Sequence, residues 1–133
     1  MDEAASERPP AVDVEVLEEL ERSIGDDPMF LRELVERYLE DAPSQLATIR
    51  AGVESGEAEQ LNRAAHSLKA NSASIGAAEL ADLSRDLESL TLPATTEAAD
   101  LADPQIGRIV AAISVELDRV MTELDSLVPP TDS

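Results

Sequence analysis

Apolar side chains recur at every third or fourth residue along most of the chain, which is the spacing of helices that bury one face. The pattern predicts one short helix followed by four longer ones, and it contains no convincing strand or internal repeat. The apolar stripes run over residues 14–24, 31–53, 61–75, 80–90 and 106–127.

Residues that begin or interrupt helices refine this pattern. Asp27-Pro28 and Asp103-Pro104 each place a carboxylate at the N-cap and a proline at the first helical position, so helices are expected to begin there. Gly76 is expected to end the third helix. Pro43 lies inside the second stripe and predicts a kink or a break. The stripe keeps its phase across Pro43, which favours one bent helix.

Length and composition narrow the fold class. The chain has 133 residues, enough for one domain, and its apolar content of 43% contrasts with an aromatic content of 2%. A core built from aliphatic side chains on periodic helices predicts an all-α fold, an antiparallel up-down four-helix bundle with a short additional N-terminal helix. We expect residues 13–128 to form this bundle, residues 1–12 a disordered acidic tail, and residues 129–133 a second disordered tail.

The charge balance excludes several classes of function. With 10 basic and 29 acidic residues the formal net charge is -19, which disfavours binding to nucleic acid or to an anionic membrane surface. The acidity indicates solvated helix faces, or steering of a positively charged partner. The chain has no cysteine and therefore no thiol chemistry, and it has no apolar run of the roughly 20 residues that span a bilayer. These features predict a cytoplasmic protein.

The candidate chemistry is concentrated in one helix. His66 is the single histidine, and Lys69, the single lysine, follows it by three residues, so the two side chains are neighbours on a helix surface. A helical wheel places His66 away from the core stripe, with exposed Ala70 and Ala73 one and two turns further on. An exposed imidazole beside a cation can act as a phosphoryl acceptor. The alternative from the residues alone is a surface histidine with no function.

A longer string surrounds this pair and consists of Ala65-His66-Ser67-Leu68-Lys69-Ala70-Asn71-Ser72, Ile75-Gly76-Ala77, Leu80 and Leu87-Glu88. This string resembles the histidine-containing phosphotransfer (HPt) domain of two-component phosphorelays. Ala70 is one mild departure, because glycine is more usual at that position. Upstream, residues 28–34 and 38–43 resemble the second helix of such domains, so that the resemblance covers roughly residues 13–127.

The resemblance implies a phosphocarrier rather than an enzyme with its own ATP-dependent kinase activity. His66 would accept a phosphoryl group from a receiver-domain aspartate and pass it to another, and Lys69 would stabilise the phosphoryl oxygens. Gly76 would be a structural element of the motif. The expected partners are receiver domains and an upstream, hybrid histidine kinase. No cofactor or metal is expected in this chain, because Mg²⁺ belongs to the receiver, and the protein is expected to be a monomer. The expected partner-binding residues are Asn62, Arg63, Ala70 and Ala73.

Two alternatives remain open after the resemblance. The chain could be a helical interaction module that binds and regulates a receiver or kinase without carrying phosphate. It could also be the phospho-accepting domain of a larger histidine kinase, of the chemotaxis or hybrid type, although the initiating Met1 favours a free-standing protein. A di-iron bundle enzyme is excluded because it needs paired Glu-x-x-His motifs, and this chain has one histidine.

Overall fold

A computed structural model describes residues 9–91, 101 and 103–128, and within these residues it contains helices and no strand. The predicted all-helical fold is therefore confirmed. Every helix in that part of the chain coincides with one of the predicted stripes. They are α1 (Val14–Ser23), α2 (Pro28–Ser55), α3 (Ala58–Ser74), α4 (Ala78–Leu90) and α5 (Pro104–Leu127).

Helix starts follow the predicted chemistry. The carboxylates of Asp27 and Asp103 accept backbone N–H groups of the first turns of α2 and α5, and Asp13 does the same for α1. α2 continues through Pro43 as a single helix, so a break there does not occur. The apolar side chains on both sides of Pro43 remain buried, and their packing offsets the hydrogen bond that proline cannot make.

The four longer helices each pack against two others, so that their contacts form a ring. α3 packs against both α2 and α4, and α5 packs against both α4 and α2. Their shared core is almost entirely aliphatic, as the composition predicts. One buried polar contact crosses it, between the hydroxyls of Tyr38 on α2 and Ser72 on α3 at 2.9 Å. The fully buried large side chains of the core include Val35, Ile49, Leu61, Leu68, Leu80, Leu87, Ile113, Val120 and Leu124.

The packed part of the chain begins before the predicted boundary at residue 13. Ala11 and Val12 are buried, and both of their N–H groups donate to the Glu123 carboxylate on α5. The end of the predicted N-terminal tail is thus part of the folded structure, because α5 supplies a carboxylate for these two amides. Residues 1–8 and 129–133, the remainder of the two predicted tails, lie outside the described residues.

Gly76 lies where α1 meets the turn between α3 and α4. It follows the end of α3, as predicted, with a φ of +88°, a left-handed conformation that glycine adopts without strain. Its carbonyl accepts the N–H of Asp13 at 2.9 Å. A Cβ at this position would lie 2.8 Å from the Asp13 carbonyl oxygen and 3.1 Å from the Val16 Cβ. Glycine therefore permits both the turn and the close approach of α1.

None of the helices in the described residues is both long and apolar enough to cross a membrane.

Candidate functional site

His66 projects from the middle of α3 on the face opposite the core. Its side chain is 60% exposed, as the helical wheel predicts. Leu61, Ala65 and Leu68 on the same helix are buried and fix the orientation of α3. The imidazole is therefore held at the surface, where a partner protein can reach it.

A carboxylate on the neighbouring helix joins the predicted pair. Glu88 on α4 places Oε2 at 2.8 Å from His66 Nδ1 and Oε1 at 2.7 Å from Lys69 Nζ. Glu88 is 18% exposed and Lys69 30% exposed, so this bridge is partly shielded from water. Both contacts depend on the packing of α3 against α4.

The bridge sets the charge and tautomer of the site. The hydrogen bond from Lys69 is the main reason that the pKa of Glu88 lies below its ordinary value, and His66 adds to the effect while burial opposes it. Glu88 is thus an anion at neutral pH and can only accept hydrogen bonds. Its contact with Nδ1 requires a proton on that nitrogen, so the neutral imidazole carries its free lone pair on Nε2.

Asn62 holds the end of α4 that carries Glu88. Its half-buried side-chain amide donates to the Glu88 carbonyl oxygen at 2.8 Å and to Thr91 Oγ1 at 3.0 Å. The structure therefore gives Asn62 an intramolecular role that sequence reasoning did not assign. The predicted contact of Asn62 with a partner stays a prediction.

The other predicted partner-binding residues surround His66 on α3. Arg63 is exposed and pairs with Glu59 one turn away at 3.4 Å. Ala70 and Ala73 are exposed and line a cleft of about 440 Å³ between α1, α3 and α4. Lys69 lies at the same cleft, and Val16 of α1 and the N-cap residue Asp13 contribute to its wall. The flat alanine surface predicted beside His66 is thus one side of a groove.

Sequence reasoning missed the role of Glu88 and the position of α1. The Leu87-Glu88 pair was part of the resemblance, so a signal for Glu88 existed, but its distance of 22 residues from His66 hid the contact. Nothing in the local sequence of α1 indicates that Val16 lines the same cleft as Lys69. Within the described residues, no group of three or more metal-ligating side chains could hold a metal ion.

An exposed imidazole of fixed tautomer, paired through a carboxylate with an ammonium on a helical scaffold, is suited to carrying a phosphoryl group. The chain belongs to the Hpt domain family, whose family model matches residues 33–127. Its general role is therefore histidine phosphotransfer in two-component signalling. Members of the family are phosphocarriers rather than kinases, and they work with receiver domains and histidine kinases.

A solved structure is similar over nearly its whole length. The crystal structure of histidine-containing phosphotransfer protein B (HptB) from Pseudomonas aeruginosa PAO1 has 24% sequence identity and a TM-score of 0.58, and the match covers 87% of this chain and 98% of that one. At this identity the likeness supports the fold. Comparison with curated proteins gives no significant match.

Proposed function

We propose that the chain is a phosphorelay phosphocarrier in which His66 Nε2 accepts a phosphoryl group from a receiver aspartate and passes it to another receiver. The Glu88 bridge is the observation that carries this proposal. A histidine with no function needs no carboxylate to fix its tautomer, and a binding surface alone needs no ammonium on the same carboxylate.

The proposed transfer balances without a cofactor in this chain. The Nε2 lone pair attacks phosphorus, and the P–O bond of the aspartyl phosphate breaks. The electron pair of that bond leaves with the receiver's carboxylate. The phosphorylated ring keeps its Nδ1 proton and becomes positively charged, and the Glu88 carboxylate at 2.8 Å stabilises this charge. Transfer to the second aspartate reverses these steps and restores the neutral ring.

Lys69 supplies the complementary charge in this proposal. It lies one helical turn from His66 and is partly exposed, so its ammonium can face a phosphoryl group on the ring. Its contact with Glu88 holds the side chain near the site before phosphate arrives, which lowers the entropy cost of positioning it. Neutralising the phosphoryl oxygens favours both the transfer and the survival of the phosphohistidine.

The partner surface and the remaining expectations form part of the same proposal. A receiver domain would cover the cleft beside Lys69, where Ala70 and Ala73 permit close approach, and would bring its own Mg²⁺. The helix contacts support an antiparallel four-helix bundle with α1 as the additional helix. We also propose that the chain acts as a cytoplasmic monomer and needs no metal of its own.

Phosphotransfer from a panel of receivers carrying labelled aspartyl phosphate tests the proposal. Wild-type protein should acquire acid-labile, alkali-stable label, and His66→Gln should acquire none. Because His66 is exposed and Glu88 keeps its contact with Lys69, this substitution should lower the free energy of unfolding by no more than about 1.5 kcal/mol. Binding of a receiver without any label would instead support the interaction module, and label on His66→Gln would place the acceptor elsewhere.

A further inference from the structure

Residues 9–13, which we call the strap, are tied to α5 by hydrogen bonds over a long sequence distance. Both N–H groups of Ala11 and Val12 donate to the Glu123 carboxylate at 2.9 Å. Arg119, one turn earlier on α5, donates to the Pro9 carbonyl at 2.7 Å. Ionised partners make these hydrogen bonds stronger than neutral ones. The strap therefore has a defined position on α5.

α1 continues directly from the strap and has little packing of its own. Leu17 is its one buried residue, and Leu20 is partly buried against the core. Its first residue follows Asp13, whose N–H is held by the Gly76 carbonyl. The placement of α1 thus depends on this apolar contact and on the two attachments at its start, the strap on α5 and the contact with Gly76.

The cleft beside the phosphoryl-acceptor site depends on this placement. Asp13 and Val16 form its α1 side, while Lys69, Ala70 and Ala73 form its α3 side. Displacement of α1 would open this groove and remove one wall of the proposed receiver surface. It would leave His66, Lys69 and Glu88 in place, because all three lie on α3 and α4, which pack directly against each other.

We propose that Glu123 and Arg119 are positioning residues that hold α1 in its docked position and thereby set the affinity for the receiver without changing the reactivity of His66. The inference rests on the proposed phosphocarrier function. It extends the determinants of partner choice to α5, on a different part of the bundle from the histidine. Because a partner binds only the competent fraction of the protein, undocking α1 raises the apparent dissociation constant in inverse proportion to the docked fraction.

Two phosphodonors separate docking from chemistry. Phosphoramidate is small and needs no protein surface: its P–N bond breaks, the phosphoryl group passes to Nε2, and ammonia leaves. The second donor is a receiver domain with aspartyl phosphate, selected because it phosphorylates the wild-type chain. Glu123→Ala should raise the KM for this receiver about tenfold, as expected if the docked fraction falls to about a tenth. Its kcat, and its labelling rate with phosphoramidate, should stay within about twofold of wild type.

Matched variants distinguish displacement of α1 from a general loss of folding. Glu123→Gln keeps one acceptor oxygen and should give an intermediate KM. Asp125→Ala removes an exposed carboxylate from the same helix and should behave as wild type. Gly76→Ala acts on the other attachment of α1 and should also raise KM. Combined with Glu123→Ala, it should raise KM by at least the product of the single effects, because both substitutions shift the same docking equilibrium of α1.

The outcomes distinguish the inference from the function on which it rests. An unchanged KM in Glu123→Ala, or equal losses with both donors, overturns the positioning role. If phosphoramidate and every receiver in the panel leave wild-type His66 unlabelled, that result instead contradicts the phosphocarrier proposal itself. A KM effect confined to the receiver supports the strap as a determinant of docking.

Discussion

Replacing Glu88 by glutamine removes the negative charge that bridges His66 and Lys69 while keeping the side chain's size. Lysine can only donate, so the new amide oxygen is expected to stay with Lys69 and the amide nitrogen to face His66 Nδ1. Nδ1 must then accept a hydrogen bond, and the ring proton moves to Nε2. The nitrogen proposed as the nucleophile loses its free lone pair.

The size of the effect follows from the strength of the lost hydrogen bond. Hydrogen bonds to charged groups contribute about 1.5–3 kcal/mol. His66 is 60% exposed, so water competes for its ring nitrogens, and we take a discounted value of about 1.4 kcal/mol. This corresponds to about a tenfold smaller reactive fraction, and so to about tenfold slower labelling by phosphoramidate.

The assay combines a rate with a direct observation of the tautomer. Labelling by phosphoramidate is followed at neutral pH, and the nitrogen chemical shifts of the single imidazole report which ring nitrogen carries the proton. Glu59→Gln is the matched control, because it removes the same charge from α3 at a position that pairs with Arg63. The control should match wild type in both measurements.

Unchanged labelling together with an unchanged tautomer in Glu88→Gln would refute the proposed role of the bridge. A slower rate with the wild-type tautomer would locate the effect in charge stabilisation of the phosphorylated ring. That result would also contradict the expected tenfold decrease in labelling rate, because this value was calculated from the change of tautomer alone.

Three further predictions concern single residues. Lys69→Ala should still accept phosphate, but at least about tenfold more slowly in single-turnover transfer, because one cation no longer offsets the phosphoryl charge; wild-type kinetics would remove that role. Burial raises the pKa of Tyr38 to about 12, so its contribution to stability is complete below its ordinary value of 10.0 and is lost as pH rises through about 12. Denaturant unfolding between these values should show a decline of up to about 1.4 kcal/mol per pH unit that Tyr38→Phe lacks, and equal slopes would contradict the assignment. Asn62→Ala removes two hydrogen bonds to the end of α4 and should lower the free energy of unfolding by about 1–3 kcal/mol, whereas an unchanged melting temperature would favour a role confined to partner contact.

The sequence alone determined the helices and the exposure of the central histidine. Periodicity of three and four residues fixes which side of a helix is buried, and Asp-Pro pairs fix where two of the helices begin. The positions of His66 and Lys69 on the surface of α3 follow from the same rule, because both belong to one helix. The residues around His66 resemble the Hpt domain family, and the family model confirms that the chain belongs to it.

Only the tertiary structure decided which residues complete the site. Glu88 reaches His66 across 22 residues of sequence, and Glu123 reaches Val12 across 111, through the packing of separate helices. Neither contact can be predicted from the local sequence. The residues around a glutamate on a helix do not show whether its carboxylate contacts water or a side chain of a neighbouring helix. Helical periodicity specifies the face of each helix, but the packing of complementary faces sets the distances between side chains on different helices.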